Sequence, residues 1–201
     1  MKICIVGGTS AVGQAISARY REVGDEVWTP ARHTDCPTGS GPFDAVITSV
    51  GAVRDAKLAN LTEQHWQESL DANLSAVFRA MKVYLPLVSE GGSFVVIGSI
   101  IGSLGGYGCS GYAAGKAGLV GLVRAAANEN ARRGVRVNLL ELGYTDVGMG
   151  SRLSADVRAA AERAIPLKRF ARIDEVIKAV EFLASSPYMT GNVLTLAGGL
   201  R

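Results

Sequence analysis

Cysteine and histidine are scarce in this chain: Cys4, Cys36 and Cys109, with His33 and His65, are all that 201 residues carry. The three cysteines are widely separated, and no combination with the two histidines has metal-ligand spacing, so a zinc centre is excluded and no metal is expected. An odd cysteine count with no pairing pattern fits a reducing cytoplasm. Charge of one sign is equally thin. The net charge is +3, the longest basic run is Arg132-Arg133, and no aromatic residues interleave with the basic ones. Composition therefore points to neither nucleic acid nor an anionic membrane as partner. No apolar stretch reaches the length of a membrane span. A strand pattern begins at Lys2, so no signal peptide is expected. The expectation is a soluble, cytoplasmic protein.

Apolar residues make up 48% of the chain, and its 25 glycines are spread along it rather than clustered. That is the composition of a globular protein with many tight turns. The length fits one domain, 1–201, able to bury roughly 70% of its unfolded surface. Short β-rich runs alternate with helical ones. Strands are expected at Ile3 to Val6, Glu26 to Thr29, Asp44 to Ser49, Ser93 to Gly98, Val135 to Leu140 and Asn192 to Leu196. Helices are expected from Val12 to Val23, from a Thr62 cap to about Ser89 with a bend near Pro86, from Ser110 to Arg133, and from Asp174 to Ser185. Residues 33–43, rich in Pro and Gly, read as a loop. Strand–helix alternation without repeats or linkers predicts an α/β fold, a doubly wound parallel sheet of Rossmann-like type.

Gly7-Gly8-Thr9-Ser10-Ala11-Val12-Gly13 lies between the first strand and its helix. Glycines there let the backbone approach a pyrophosphate at a helix N-terminus. The motif is not GxGxxG, so its position in the first strand–helix unit carries the binding reading over that of a plain turn. At the end of the second strand, an acidic residue suits the ribose 2′-hydroxyl of NAD, whereas an arginine suits the 2′-phosphate of NADP. This chain has Ala31-Arg32-His33 and no carboxylate before Asp35, which favours NADP over NAD.

Tyr112 and Lys116 stand four positions apart on one helix face, in a run rich in Gly and Ala that would admit a ligand closely. Ser99 lies thirteen positions before Tyr112, just past a strand's carboxyl end, where open α/β sheets bind ligands. A phenol held near an ammonium and a hydroxyl can exchange a proton with a carbonyl oxygen. Ionising a tyrosine near neutrality takes roughly 4 kcal/mol. One cation at ~4 Å supplies about that much at an effective dielectric constant of ~20. Lys116 is therefore expected to lower the Tyr112 pKa.

Tyr112-x-x-x-Lys116 with Ser99, together with Asn73 in Asp71-Ala72-Asn73-Leu74, resembles the catalytic set of the short-chain dehydrogenase/reductase family. The closing Thr190-Gly191 and Gly198-Gly199 are similar to that family's final turns, and the match runs nearly end to end. The resemblance implies four roles. Tyr112 protonates the substrate oxygen as NADPH delivers hydride, and Ser99 steadies the oxyanion. Lys116 holds the nicotinamide ribose and lowers the tyrosine pKa, while Asn73 holds a water in a bent helix.

By the same resemblance Gly7, Thr9, Ser10, Ala11, Val12, Gly13, Arg32, His33, Ser49, Gly51, Gly143, Thr145 and Val147 meet the cofactor, along with Tyr112 and Lys116. This chain departs from the family at Ala11, where a glycine is usual, and at Val6, where a threonine is. Thr48-Ser49-Val50-Gly51 replaces Asn-Asn-Ala-Gly, and Leu142-Gly143 replaces Pro-Gly. Val147 stands for a threonine that bonds the carboxamide, a loss of about 1 kcal/mol unless Thr145 or backbone groups compensate. A strand–helix pair between the second strand and Asp44 is missing, which implies six strands and a thinner adenine pocket. Asp35-Cys36 is the candidate replacement contact there.

Ile100, Ile101, Leu104, Tyr107, Leu142, Tyr144 and Met149 are the expected substrate-side residues, with Glu141 as a further polar candidate. The segment 144–170 is expected to cover the substrate. The set is mostly apolar, which implies a carbonyl on a hydrophobic or aromatic skeleton. The basic residues Arg152, Arg158, Arg163, Lys168 and Arg169 read first as a solvated helix. Apolar positions Val77, Met81, Leu119, Leu122 and Val123 on the two long helices suggest a homodimer or homotetramer. The expected function is an NADPH-dependent oxidoreductase. The alternatives are a dinucleotide-binding regulatory or scaffold protein without turnover and, third, a dehydratase or epimerase.

Overall fold

A computed structural model describes every residue except 32–34, 36–39 and 54–55. Strand β1 (Lys2–Val6) is apolar and buried at every position after Lys2, as suits a central parallel strand covered on both faces. The chain continues through α1 (Ala11–Glu22), β2 (Glu26–Trp28), β3 (Phe43–Thr48), α2 (Glu63–Leu70) and α3 (Ala76–Tyr84). It then forms β4 (Val88–Ser99), a short α4 (Ile101–Leu104), α5 (Ser110–Asn130) and β5 (Arg136–Leu142). Helices α6 (Ala155–Ala164) and α7 (Ile173–Ser185) precede β6 (Val193–Leu196).

Among the described residues six strands form one parallel sheet in the order β2-β1-β3-β4-β5-β6. Connections run to opposite sides of β1, so the switch point falls between the carboxyl ends of β1 and β3. Alternate strand residues feed two cores. Val6, Val46, Val96 and Leu139 pack with Val77, Leu119 and Val123 of α3 and α5. Ile5, Ile47, Ile97 and Leu140 pack with Ile16, Val176 and Val180 of α1 and α7.

No strand or helix lies between Trp28 and Phe43 among the described residues, and β2 is the sheet's edge. The six-stranded sheet matches the expected loss of one strand–helix pair. Trp28 stacks on Phe43 at 5.9 Å and contacts Tyr84 at 5.8 Å, closing the core beside that edge. The Tyr84 hydroxyl donates to the Asp35 carbonyl, so Asp35 serves the fold through its backbone. Cys36 lies outside the described residues.

The helix expected from Thr62 to about Ser89 needs correction. Thr62 does cap it, accepting from the His65 amide at 3.2 Å. The bend, however, is a π-helical turn at Asp71–Ser75, not a kink at Pro86. The α-helix ends at Tyr84, a 3-10 turn spans Leu85–Leu87, and β4 starts at Val88 rather than Ser93. Pro86 lacks an amide hydrogen for a continuing helix. Arg133 then collects the Leu85, Pro86 and Val88 carbonyls, and Val88 pairs with Phe43.

Arg136 performs a similar service for α7. Its guanidinium donates to the carbonyls of Leu183 at 3.0 Å, Ala184 at 2.6 Å and Ser186 at 2.8 Å, at the negative end of that helix. Arg136→Met is expected to lower unfolding free energy by about 2–3 kcal/mol, because orphan carbonyls lose charge-assisted bonds. A shifted denaturant midpoint at constant slope would register the loss; an unchanged midpoint would show that water serves those carbonyls equally well.

Intrachain packing also revises the surface reading of the long helices. Val77, Met81, Leu119 and Val123 are buried in the core, so they do not argue for a partner subunit. Among the described residues no helix is long and apolar enough to cross a membrane.

Candidate active site

The glycine loop closes as a turn, with the Ser10 amide donating to the Gly7 carbonyl at 3.0 Å. Ser10 caps α1: its hydroxyl accepts from the Gly13 amide at 3.0 Å, and its carbonyl accepts from Gln14 at 2.8 Å. Of the first four helix amides, those of Ala11 and Val12 have no acceptor among the described residues, which leaves them for an outside one. The first turn carries no acidic side chain. A capped N-terminus of this kind suits an anion, so the loop fits a dinucleotide's pyrophosphate.

Ser10 also reaches Ser49, with the two hydroxyl oxygens 2.9 Å apart, which draws the loop onto the end of β3. A Cβ at Gly7, where φ is +84°, would lie 2.4 Å from the Ser49 carbonyl oxygen, so close packing demands glycine there. The methyl of Ala11 faces the segment after β5, 3.6 Å from where a Cβ on Gly148 would stand. Thr9 is exposed, and its carbonyl accepts from Gln14. Arg32 and His33 lie outside the described residues.

Asn73 is fully buried in the π-helical turn. Its amide group donates to the carbonyls of Ala52 at 2.7 Å and Ser69 at 2.9 Å, and its oxygen accepts from the Ala52 amide at 3.2 Å. The side chain thus ties the segment after β3 to the helix. Lys116, only 4% exposed, donates to the Val50 carbonyl at 3.1 Å. Between them lies Gly51, where a Cβ would stand 2.6 Å from Asn73 Oδ1 and 2.9 Å from Lys116 Nζ.

Glycines at the start of α5 have another task than the expected one. A Cβ at Gly111, Gly115 or Gly118 would strike Ser69, Asn73 or Leu74 within 3 Å. These positions recur along one helix face, and they let α5 lie directly on α2 and the π turn. The close approach is by a helix, not by a ligand.

Tyr112 is 6% exposed and has the Ser99 hydroxyl near its phenol; that hydroxyl itself accepts from the Ile101 amide at 3.3 Å. Burial raises the phenol's pKa above its ordinary value, and the neighbouring Ser99 hydroxyl lowers it only in part. The expected lowering by Lys116 is not what the free protein has. The ammonium lies 5.7 Å from the phenol ring's centroid and points to Val50, while its own pKa is pushed down to about 8 by burial. Desolvation wins over the pair's mutual influence. The resting phenol is protonated and is poised to give a proton, not to take one.

Beyond β5, the Gly143 amide donates to the Leu196 carbonyl at 2.9 Å. Thr145 is buried, and its hydroxyl proton goes to the Val147 carbonyl at 3.1 Å, which leaves its oxygen as an acceptor only. Thr145 pairs with Ala171, closing the base of the segment that carries α6, while Tyr144 stacks on Phe170 at 5.0 Å. Arg158 sits 4.4 Å over the Phe170 ring, so it packs rather than simply solvating its helix. Of the expected substrate-side residues, Ile100 and Leu142 are core. Ile101 is half-buried, and Leu104, Tyr107, Tyr144 and Met149 are exposed. The Val50, Ala52 and Ser69 carbonyls that hold Lys116 and Asn73 were not anticipated, since a backbone acceptor leaves no mark on residue type.

A parallel sheet with an anion-fitted helix terminus at its switch point and a Ser–Tyr pair beside a buried lysine defines a Rossmann-type oxidoreductase. A family model described as "Enoyl-(Acyl carrier protein) reductase" matches residues 13–201. The chain is 36% identical over 164 residues to the 3-oxoacyl-(acyl-carrier-protein) reductase of Thermotoga maritima, covering 80% of this chain and 67% of that one. It is 36% identical over 164 residues to the acetoacetyl-CoA reductase of Allochromatium vinosum, with the same 80% and 67% coverage. To carbonyl reductase family member 4 of Xenopus laevis it is 39% identical over 163 residues, covering 80% and 68%. The chain belongs to the short-chain dehydrogenase/reductase family, oxidoreductases acting on C=O and CH–OH groups, and is a shortened member of it.

Proposed function

We propose that the protein, acting as a single dinucleotide-binding and catalytic domain, is an NADPH-dependent reductase of a carbonyl on a small hydrophobic or aromatic substrate. Two of the similar proteins are named for 3-oxoacyl and acetoacetyl thioesters, which makes such thioesters the first substrates to test. The observation that carries the reading is the buried Tyr112 hydroxyl, kept protonated beside Ser99 at the carboxyl end of β4. When bound, a reduced nicotinamide supplies the hydride. The Ala11 and Val12 amides would hold its pyrophosphate, and Gly7, Thr9, Ser10, Gly13 and Ser49 would shape that cradle. Arg32 and His33 would take the 2′-phosphate. Gly51 leaves room beside Lys116, whose remaining N–H groups would hold ribose hydroxyls. Gly143, Thr145 and Val147 would border the nicotinamide.

Tyr112 then gives its proton to the substrate oxygen, while Ser99 donates a hydrogen bond to the charge developing there. Lys116 limits the rise in negative charge on the phenol, and Asn73 keeps the segment after β3 in place. Alcohol oxidation uses the same groups in reverse. The segment 144–170, with Tyr144 and Met149 exposed on it, would cover the substrate. A homodimer or homotetramer is the assembly we propose, by the family's habit.

The test is an assay of the purified protein with NADPH and with NADH, against acetoacetyl-CoA and a panel of apolar and aromatic ketones. NADPH should bind about tenfold or more tightly than NADH, as one charge-assisted contact to a phosphate allows. Consumption of NADPH is expected with at least one carbonyl. Binding without consumption across the panel would instead favour a dinucleotide-binding regulatory protein.

A further inference from the structure

Glu141, at the carboxyl end of β5, is 2% exposed. A carboxyl group buried to that extent is costly unless its oxygens are satisfied. Both are. One accepts from the Ser103 hydroxyl at 2.8 Å, and the other from the Thr195 hydroxyl at 3.4 Å. In the sheet Glu141 lies between Gly98 of β4 and Thr195 of β6. A Cβ on Gly98 would stand 2.9 Å from Leu139 Cδ1, so that position stays bare. The carboxyl group therefore joins the last sheet strand to α4, the short helix directly after Ser99.

That helix touches both halves of the site. Its first amide, from Ile101, donates to the Ser99 hydroxyl at 3.3 Å. Its Gly102 lies against the backbone of α5 at the lysine: a Cβ there would be 2.8 Å from the Ala117 nitrogen and 2.9 Å from the Lys116 carbonyl carbon. Ile100 is anchored in turn by its amide, which donates to the Leu142 carbonyl at 2.9 Å. Four residues thus set where Ser99 stands relative to Tyr112 and Lys116. A helix so short has little stability of its own.

We infer that Glu141 is a positioning residue of the reaction: through Ser103 it locks α4, and α4 in turn registers the Ser99 hydroxyl against Tyr112. The inference rests on the reductase reading for its kinetic consequence, but the geometry it describes is independent of turnover. A carboxyl group retained in the interior for registry is an established use of buried polar groups, and a shift of about 1 Å in a reacting group can lower a rate about 100-fold.

The decisive experiment compares Ser103→Ala, Glu141→Ala, Glu141→Gln and the Glu141→Ala/Ser103→Ala pair by kcat, by NADPH affinity and by ultraviolet titration of the Tyr112 phenol, with Tyr112→Phe as the spectral blank. Ser103→Ala and Glu141→Ala should each lower kcat about 10- to 100-fold while NADPH affinity stays within about twofold. The pair should lose no more than either single change, since both break one link. Glu141→Gln keeps an acceptor for Ser103 and should recover most of the rate.

Because the neighbouring Ser99 hydroxyl lowers the phenol's pKa, displacing it should move the titration upward in both alanine variants. Wild-type kcat and an unmoved titration in Ser103→Ala would overturn the inference, as would additive losses in the pair. If Glu141→Ala does not fold, Ser103→Ala decides alone. Should the wild-type protein turn over no carbonyl at all, the reductase reading falls, and the phenol titration still decides the positioning role.

Discussion

Tyr112→Phe is expected to lower turnover by a factor of about 10² to 10⁴, the usual worth of a positioned general acid. The ring stays, so its packing in the 6%-exposed site stays with it. Only the hydroxyl is lost, and with it the polar contact towards Ser99. Affinity for NADPH should change little, because the proposed pyrophosphate contacts would lie at α1. Stability should change by about 1 kcal/mol or less, the net value of one hydrogen bond.

The pH dependence follows from the direction of the phenol's shift. Burial holds its pKa above the ordinary value, so the proton needed for carbonyl reduction is present through neutral pH and is lost only in strong alkali. Steady-state kinetics across pH, on wild type and variant, would check both statements. Wild-type-like turnover in Tyr112→Phe would remove the phenol from the mechanism.

Lys116→Met is expected to abolish most turnover and yet stabilise the fold. The ammonium is 4% exposed, and burial pushes its pKa down from 10.5 to about 8. Such a gap corresponds to about 3 kcal/mol of unfavourable free energy in the folded state. The unfolded chain binds this proton more tightly than the folded one. The penalty is therefore present in full below about pH 8 and is relieved as pH rises from about 8 towards 10.5.

Methionine fills the same slot without charge and forgoes only the bond to the Val50 carbonyl. The net gain at neutral pH should be about 2 kcal/mol, and the wild type should close that gap in mild alkali. Denaturant unfolding of both proteins at neutral and alkaline pH would show it. A variant less stable than wild type at neutral pH would mean that the ammonium is better satisfied than its burial implies. A functional group kept at a cost in stability is a common compromise at active sites.

Much of the fold could be read from local pattern. The run Ile3-Cys4-Ile5-Val6 is apolar at consecutive positions and so had to be covered on both faces. Gly134, with φ at +67°, stops the turn after α5 where the sequence placed the stop. The end of α3 was harder to read, because Pro86 can bend a helix as well as end one. What ends it is Arg133, nearly fifty positions on, together with the pairing of Val88 to Phe43. Ile100 and Leu142 looked like substrate contacts because they adjoin Ser99 and Gly143; strand alternation turns Leu142 into the core, and Ile100 is buried at the cap of α4.

Residue types and spacing by themselves determined the parallel α/β order, the cap at Thr62, the shared helix face of Tyr112 and Lys116 and the absence of one strand–helix unit. Those depend on propensity, periodicity and length, which are local. Only the tertiary structure decided the chemical state of the site. Burial leaves Tyr112 protonated and Lys116 weakly basic, and the glycines beside them serve α2 rather than a ligand. The same holds for Glu141, whose two hydroxyl partners come from α4 and β6. Solvation and long-range contact set these properties, and both arise from parts of the chain that meet only when it is folded.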